Sequence, residues 1–368
     1  MNMDRNEDAY AAFQTVLEID PINQDALMAA GVVASKLGRV EESQRYFTEY
    51  LAMNPGDENV RLTIAHRLAN EGDPAGALRL VEEQATAADA SASLVEYAGH
   101  FAMNAGLGMQ SAGGPANGNA DQAIEMFRKA AQLYERAAQM KGDSIDPSVL
   151  RNTMLAYKNI GDTQRALEIG QRITPTSDNG QTWLIYSDVL RDAERNDEAI
   201  AALRRAAELD PDLAGIQTRL AVMMLDAGQL QQAVEATKQA VAGGQMDASV
   251  AENISQQITQ RGVQHVNARR FDQAIAHFNA AREIGKSEQS IGMANFFHGF
   301  ALVSQADGIL RTATTAGPAR QAMPLLERAK VLLEGAAGYR DQAAKRAELL
   351  QNVQQYIDMA DALIRAGR

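Results

Sequence analysis

The chain has 368 residues, a formal net charge of −12, 46% hydrophobic but 5% aromatic residues, and no cysteine. That length exceeds one ordinary core, so the chain holds either two or three domains or a continuous repeat array. Without cysteine there is no disulfide, thiolate nucleophile or cysteine-ligated zinc, and the acidic balance disfavours general nucleic-acid binding, which needs a basic stripe.

The charge is unevenly placed. Residues 1–100 carry 17 Asp and Glu against 7 Lys and Arg, whereas residues 261–346 carry 12 Lys and Arg against 7 acids. An elongated fold would therefore bear opposite signs at its ends, although a solvated surface bias explains the same numbers. No stretch approaches the ~20 apolar residues of a membrane helix, and MNMDRNEDAY lacks a signal-peptide core. The segment is expected to be soluble, cytoplasmic or periplasmic, with no membrane contact of its own and with any anchor in a segment ahead of residue 1.

Ala-rich blocks such as AALRRAAEL, with only 37 Gly and Pro, favour helix throughout. In chain order, the first element, AYAAFQTVLEIDP at 9–21, is amphipathic and closes on Asp-Pro. Its counterpart AIAALRRAAELDP at 199–211 follows a full partner helix, TWLIYSDVLRDAERND, and the first copy has none. Ala9, Phe13 and Val16 thus occupy the slots of a second helix whose first helix would precede residue 1. This reads as a fragment of a longer protein; a native single-helix cap is the alternative.

Residues 24–57, 180–213 and 214–247 align without a gap at a period of 34. Gly31, Ser187 and Ala221 share one slot, Ser43, Ala199 and Ala233 another, and Pro55 and Pro211 the closing position. Small residues at crossing points let two antiparallel helices approach, while Trp183, Tyr186, Leu190 and Leu203 fill the space beside them. Glycine at Gly38, Gly72 and Gly161 ends each first helix in a left-handed turn.

On these residues the chain resembles the tetratricopeptide repeat family, in its bacterial form. The resemblance implies an all-α solenoid, a right-handed superhelix of helix-turn-helix units. Carried outward, it places an incomplete repeat at about 4–20 and repeats at 24–57, 58–91, 92–146, 147–179, 180–213, 214–247, 248–288 and 289–338, all within an array at 1–338. The third holds a Gly-rich insert at 105–119, the seventh an extra helical turn, and the eighth a stretched turn, RTATTAGPARQA. Residues 339–368, with Leu350, Val353, Ile357, Ala360 and Ile364 on one stripe, read as a C-terminal capping helix.

Catalytic motifs fail one after another. AAREIGKS at 280–287 has Ala280 where a phosphate loop needs its first glycine, and GLGMQS at 106–111 has Ser111 where a dinucleotide fingerprint needs its third. The latter reads as a flexible linker. The five histidines never recur at i, i+4, so no zinc helix appears. Neither catalysis nor a cofactor or metal is expected.

In the family the first helix of each repeat, helix A, lines a concave groove. Its slots fall here on Met28, Val32, Leu62, His66, Arg151, Leu155, Leu184, Asp188, Arg191, Val222, Leu225, Val263, Phe296 and Phe300. Members that clamp a C-terminal carboxylate carry Lys and Asn at slots filled here by Met28, Val32, Leu62, His66, Leu184 and Asp188, so no such clamp is expected. An apolar floor suits a partner helix or extended peptide, unless superhelical winding buries the same positions. The resemblance therefore implies a non-catalytic scaffold for a protein or peptide partner. Two alternatives stand beside it: the targeting or assembly arm of a larger enzyme or membrane-anchored protein, and a homo-oligomer formed through the acidic and basic ends.

Overall fold

The computed structural model describes residues 2–112, 119–213 and 215–367, and every regular element among them is helical. The helices divide into two compact units, residues 1–177 and 178–368.

The first unit contains α1 (Asn2–Ile19), α2 (Gln24–Lys36), α3 (Val40–Met53), α4 (Glu58–Asn70), α5 (Pro74–Thr86), α6 (Ala92–Ala112), α7 (Asn119–Lys141), α8 (Pro147–Ile160) and α9 (Thr163–Ile173). Consecutive helices pack as antiparallel hairpins: α2 on α3, α4 on α5, α6 on α7 and α8 on α9. Side-chain caps set the starts, with Asn23, Asp57, Asp73 and Asp162 each accepting the amide three residues on, which satisfies donors that have no partner in the first turn. The hairpin turns close at Gly38, Gly72 and Gly161, where φ is 75°, 93° and 86°.

The second unit contains α10 (Gly180–Asp192), α11 (Asn196–Leu209), α12 (Ile216–Asp226), α13 (Leu230–Ala242), α14 (Ala248–Asn267), α15 (Phe271–Ile284), α16 (Glu288–Leu310), α17 (Ala316–Glu334) and α18 (Ala343–Ala366). Two of its hairpin turns reach the left-handed region without glycine, at Glu194 (φ 60°) and Arg269 (φ 56°). The last helix, α18, covers the α16–α17 hairpin with Leu349, Val353 and Ala360 fully buried and Leu350, Ile357 and Ile364 packed alongside.

The small slots lie at the helix crossings. Ser43, Ser187, Ala199, Ala221 and Ala233 have no accessible surface. A Cβ on Gly31 would come within 2.8 Å of Phe47, and one on Gly262 within 2.6 Å of Phe278. The ring of each second helix thus lies against the bare backbone of the first, the close approach that small residues permit.

Two expectations change. Residues 106–111, read as a flexible linker, continue α6 to Ala112, because Gly106 seats the Phe127 ring of α7 against helical backbone. The remainder of the Gly-rich insert lies largely outside the described residues. The stretched turn of the eighth repeat shrinks to residues 311–315, since α17 starts at Ala316 and carries Pro324 in its interior.

Candidate functional site

In the first unit, α2, α4, α6 and α8 are the first helices of their hairpins, and they carry the early candidates. Met28 and Val32 are half-buried on the cluster of Phe47, Leu51, Val60 and Ile64. Leu62, His66, Arg151 and Leu155 are also half-buried. His66 meets Tyr97 edge-on at 4.5 Å and Phe101 at 5.2 Å between ring centroids. On the same turn of α6, His100 has its Nδ1 3.0 Å from the Tyr134 hydroxyl. Burial pushes the His100 imidazole below its ordinary value, with Glu96 opposing and His66 and Arg151 reinforcing the shift. Glu96 is itself neutralised by an ion pair with Lys141.

Tyr97, 38% exposed, presents an aromatic ring on this face. Glu96, Tyr97 and His100 were missing from the sequence-derived set. Counting the family register from Ala92 puts its fifth and ninth positions on Glu96 and His100, because the insert begins only at residue 105 and leaves the earlier register intact.

The second unit treats the same positions differently. Leu184 is 8% exposed, Leu225 4% and Phe296 4%, so these three are packing residues and not groove anchors. Ion pairs also join successive first helices here. Asp188 on α10 pairs with Arg219 on α12 and accepts Arg191 at 3.3 Å. Asp226 on α12 pairs with Arg261 on α14, which also donates to the Leu225 carbonyl at 3.1 Å. The ion pairs bridge neighbouring helices beside the apolar row. Arg191 is exposed and Val222 half-buried, while Val263 and Phe300 pack on Phe278, Val266 and Ala301.

On the second helices of this unit a crevice of about 650 Å³ opens between α11 and α13, floored by Leu220 and Met224 of α12 and walled by Arg204, Gln232 and Glu235. Arg204 donates to Gln232 across it at 2.9 Å. Among the described residues no group of three or more His, Asp or Glu could hold a metal ion, and no helix is long and apolar enough to cross a membrane.

Tetratricopeptide repeat family models match residues 1–58 and 180–223. The chain is 26% identical over 261 residues to cellulose synthase 2 operon protein C of Komagataeibacter xylinus, a match covering 68% of this chain and 18% of that protein. The chain thus spans less than a fifth of that relative's length. Solved structures with similarity include MamA from Desulfovibrio magneticus RS-1 (15% identity, 51% of this chain and 95% of that one, TM-score 0.41). YrrB, a repeat protein described as having an unusual peptide-binding site, matches at 14% identity over 60% of this chain and all of that one, with a TM-score of 0.43. A repeat protein from Parabacteroides merdae matches at 12% identity over 81% of this chain and 98% of that one, with a TM-score of 0.41.

Proposed function

We propose that this tetratricopeptide-repeat protein is a scaffold that grips a protein partner on the first-helix face of its first unit. The observation that carries the reading is the contrast between the two units at equivalent positions. In the second, ion pairs link neighbouring first helices and Leu184, Leu225 and Phe296 are buried, with Val222, Val263 and Phe300 half-buried beside them. In the first, Met28, Val32, Leu62, His66, Leu155 and the exposed Tyr97 retain accessible surface.

The polar groups of this face set the partner's chemistry. His66, His100 and Arg151 line it, and the single acid among them, Glu96, is already paired with Lys141. A short amphipathic segment with an apolar anchor and an acidic neighbour fits these groups: the anchor packs on Tyr97 and His66, and the acid pairs with Arg151. The buried Leu184, Leu225 and Phe296 belong to the core, and the partner reads the face of the first unit alone.

Affinity capture with three forms of the chain tests this. The unmodified protein and an Arg204→Glu variant, changed only at the crevice of the second unit, are expected to retain the same partner. A Tyr97→Ser, Arg151→Glu variant with an unchanged melting temperature is expected to lose it. Equal capture by all three would remove the first-unit face from the reading.

A second reading rests on the relative in Komagataeibacter. Its name places it with a cellulose synthase operon, so this chain would be the repeat portion of a longer assembly factor serving such a synthase. Co-purification with the cellulose synthase subunits of the source organism supports that role; their absence from every pull-down made with the full-length protein removes it.

A further inference from the structure

No two histidines stand one helical turn apart in the sequence, yet the fold brings two together across a hairpin. His265 lies in the last turn of α14 and His277 near the middle of α15, 12 residues further along the chain. Gly262, three residues before His265, seats the ring of Phe278, the neighbour of His277, against bare helical backbone. That crossing holds the two helices at close range. Beside it the imidazoles of His265 and His277 meet with their ring centroids 4.7 Å apart and their planes tilted by 51°.

Nδ1 of His277 lies 2.8 Å from the carbonyl oxygen of Gln273. A carbonyl only accepts, so Nδ1 carries the ring proton and Nε2 keeps a free lone pair. Metal-binding imidazoles are oriented in the same way, by donating their other nitrogen to a carbonyl or carboxylate. On His265 the Nδ1 atom is buried and lacks a hydrogen-bond partner among the described residues, an unfavourable state that a ligand relieves. Both rings are only half-buried, so solvent reaches the pair.

The spacing of the rings suits a shared ion. A ring nitrogen binds zinc at about 2.1 Å, which puts the ring centre about 3.2 Å from the ion, so two imidazoles at a square or tetrahedral angle have centres about 4.5–5.2 Å apart. The observed separation falls inside that interval. We infer that His265 and His277 form a two-histidine site for a divalent transition-metal ion of the copper, nickel and zinc group, with water filling its remaining positions. Imidazole suits these ions and not magnesium or calcium, which seek oxygen. Two protein ligands are fewer than a structural zinc site has, so the affinity is moderate. Bound there, the ion ties the end of α14 to α15 across the left-handed turn at Arg269.

Isothermal titration of the full chain, free of any affinity tag, with copper(II) chloride and zinc chloride in a non-coordinating buffer reads the site. One equivalent of copper is expected to bind with a Kd of about 10 µM, and zinc more weakly. His265→Gln and His277→Gln should each weaken copper binding about tenfold or more. Electron paramagnetic resonance of the copper-loaded unmodified protein needs no variant and is expected to show coupling to two imidazole nitrogens. Absence of saturable binding of either ion up to about 1 mM, equal copper affinity in both variants, which would mark an adventitious ion only, or a copper spectrum without coupling to two nitrogens would each overturn the inference.

Discussion

At the scale of single residues, burial decides which side chains carry stability and which remain open to a partner. Leu184 and Tyr97 occupy corresponding first helices, yet Leu184→Ala is expected to cost about 2–5 kcal/mol, whereas Tyr97→Ser should cost less than about 1 kcal/mol. Urea unfolding of the two variants checks the contrast. His298 adds a pH dependence. Burial, reinforced by Arg282 and Arg328, lowers its pKa to about 4 from an ordinary 6.5. The unfolded chain therefore takes up a proton at a higher pH than the folded one does. The stability is fully present above about pH 6.5 and is lost as pH falls towards 4, by at most about 3 kcal/mol. Urea midpoints between pH 7 and 4.5 should fall less steeply in His298→Gln than in the unmodified chain; parallel curves would show that His298 does not titrate across this window.

At the scale of helices, the governing contact is the ring of a second helix against bare backbone of the first. Phe278 has no room to withdraw, being wholly buried, so Gly262→Ala is expected to destabilise by about 1–3 kcal/mol, readable as a lowered melting temperature. The turns give an effect of opposite sign. Glu194 adopts a left-handed conformation that costs an L-residue about 1–2 kcal/mol, part of which glycine recovers. Glu194→Gly should therefore stabilise the chain by about 0.5–1 kcal/mol, net of glycine's greater freedom when unfolded. Neither Glu194 nor Arg269 was recognisable as a left-handed position, because the turn signal in the sequence is glycine and these two turns lack it.

At the scale of the whole molecule, each of the two units has its own apolar clusters. Tyr10, Leu27 and Phe47 anchor clusters in residues 1–177, and Phe278, Leu326 and Leu333 anchor clusters in residues 178–368. Since nearest-neighbour packing supplies most of the stability of stacked hairpins, segments 1–177 and 178–368 are each expected to be helical and to melt cooperatively when produced alone. Circular dichroism of the two segments checks this; a non-cooperative melt in either would show that the unit depends on the rest of the chain.

The helical class, the 34-residue period, the small crossing slots and the glycine-closed turns were legible in the sequence, since each depends on residues close together in the chain. Gly31, Ser187 and Ala221 announce a close helix crossing wherever the fold places them, and Asp-Pro at 20–21 and 210–211 ends a helix by local geometry alone. What only the tertiary structure decided was the fate of the shared apolar slots. Leu62 and Leu184 occupy the same register, and nothing local distinguishes them. One stays half-buried and the other is buried, because the surroundings of each slot are set by helices distant in the chain, as are the pairs of Arg219 with Asp188 and Arg261 with Asp226.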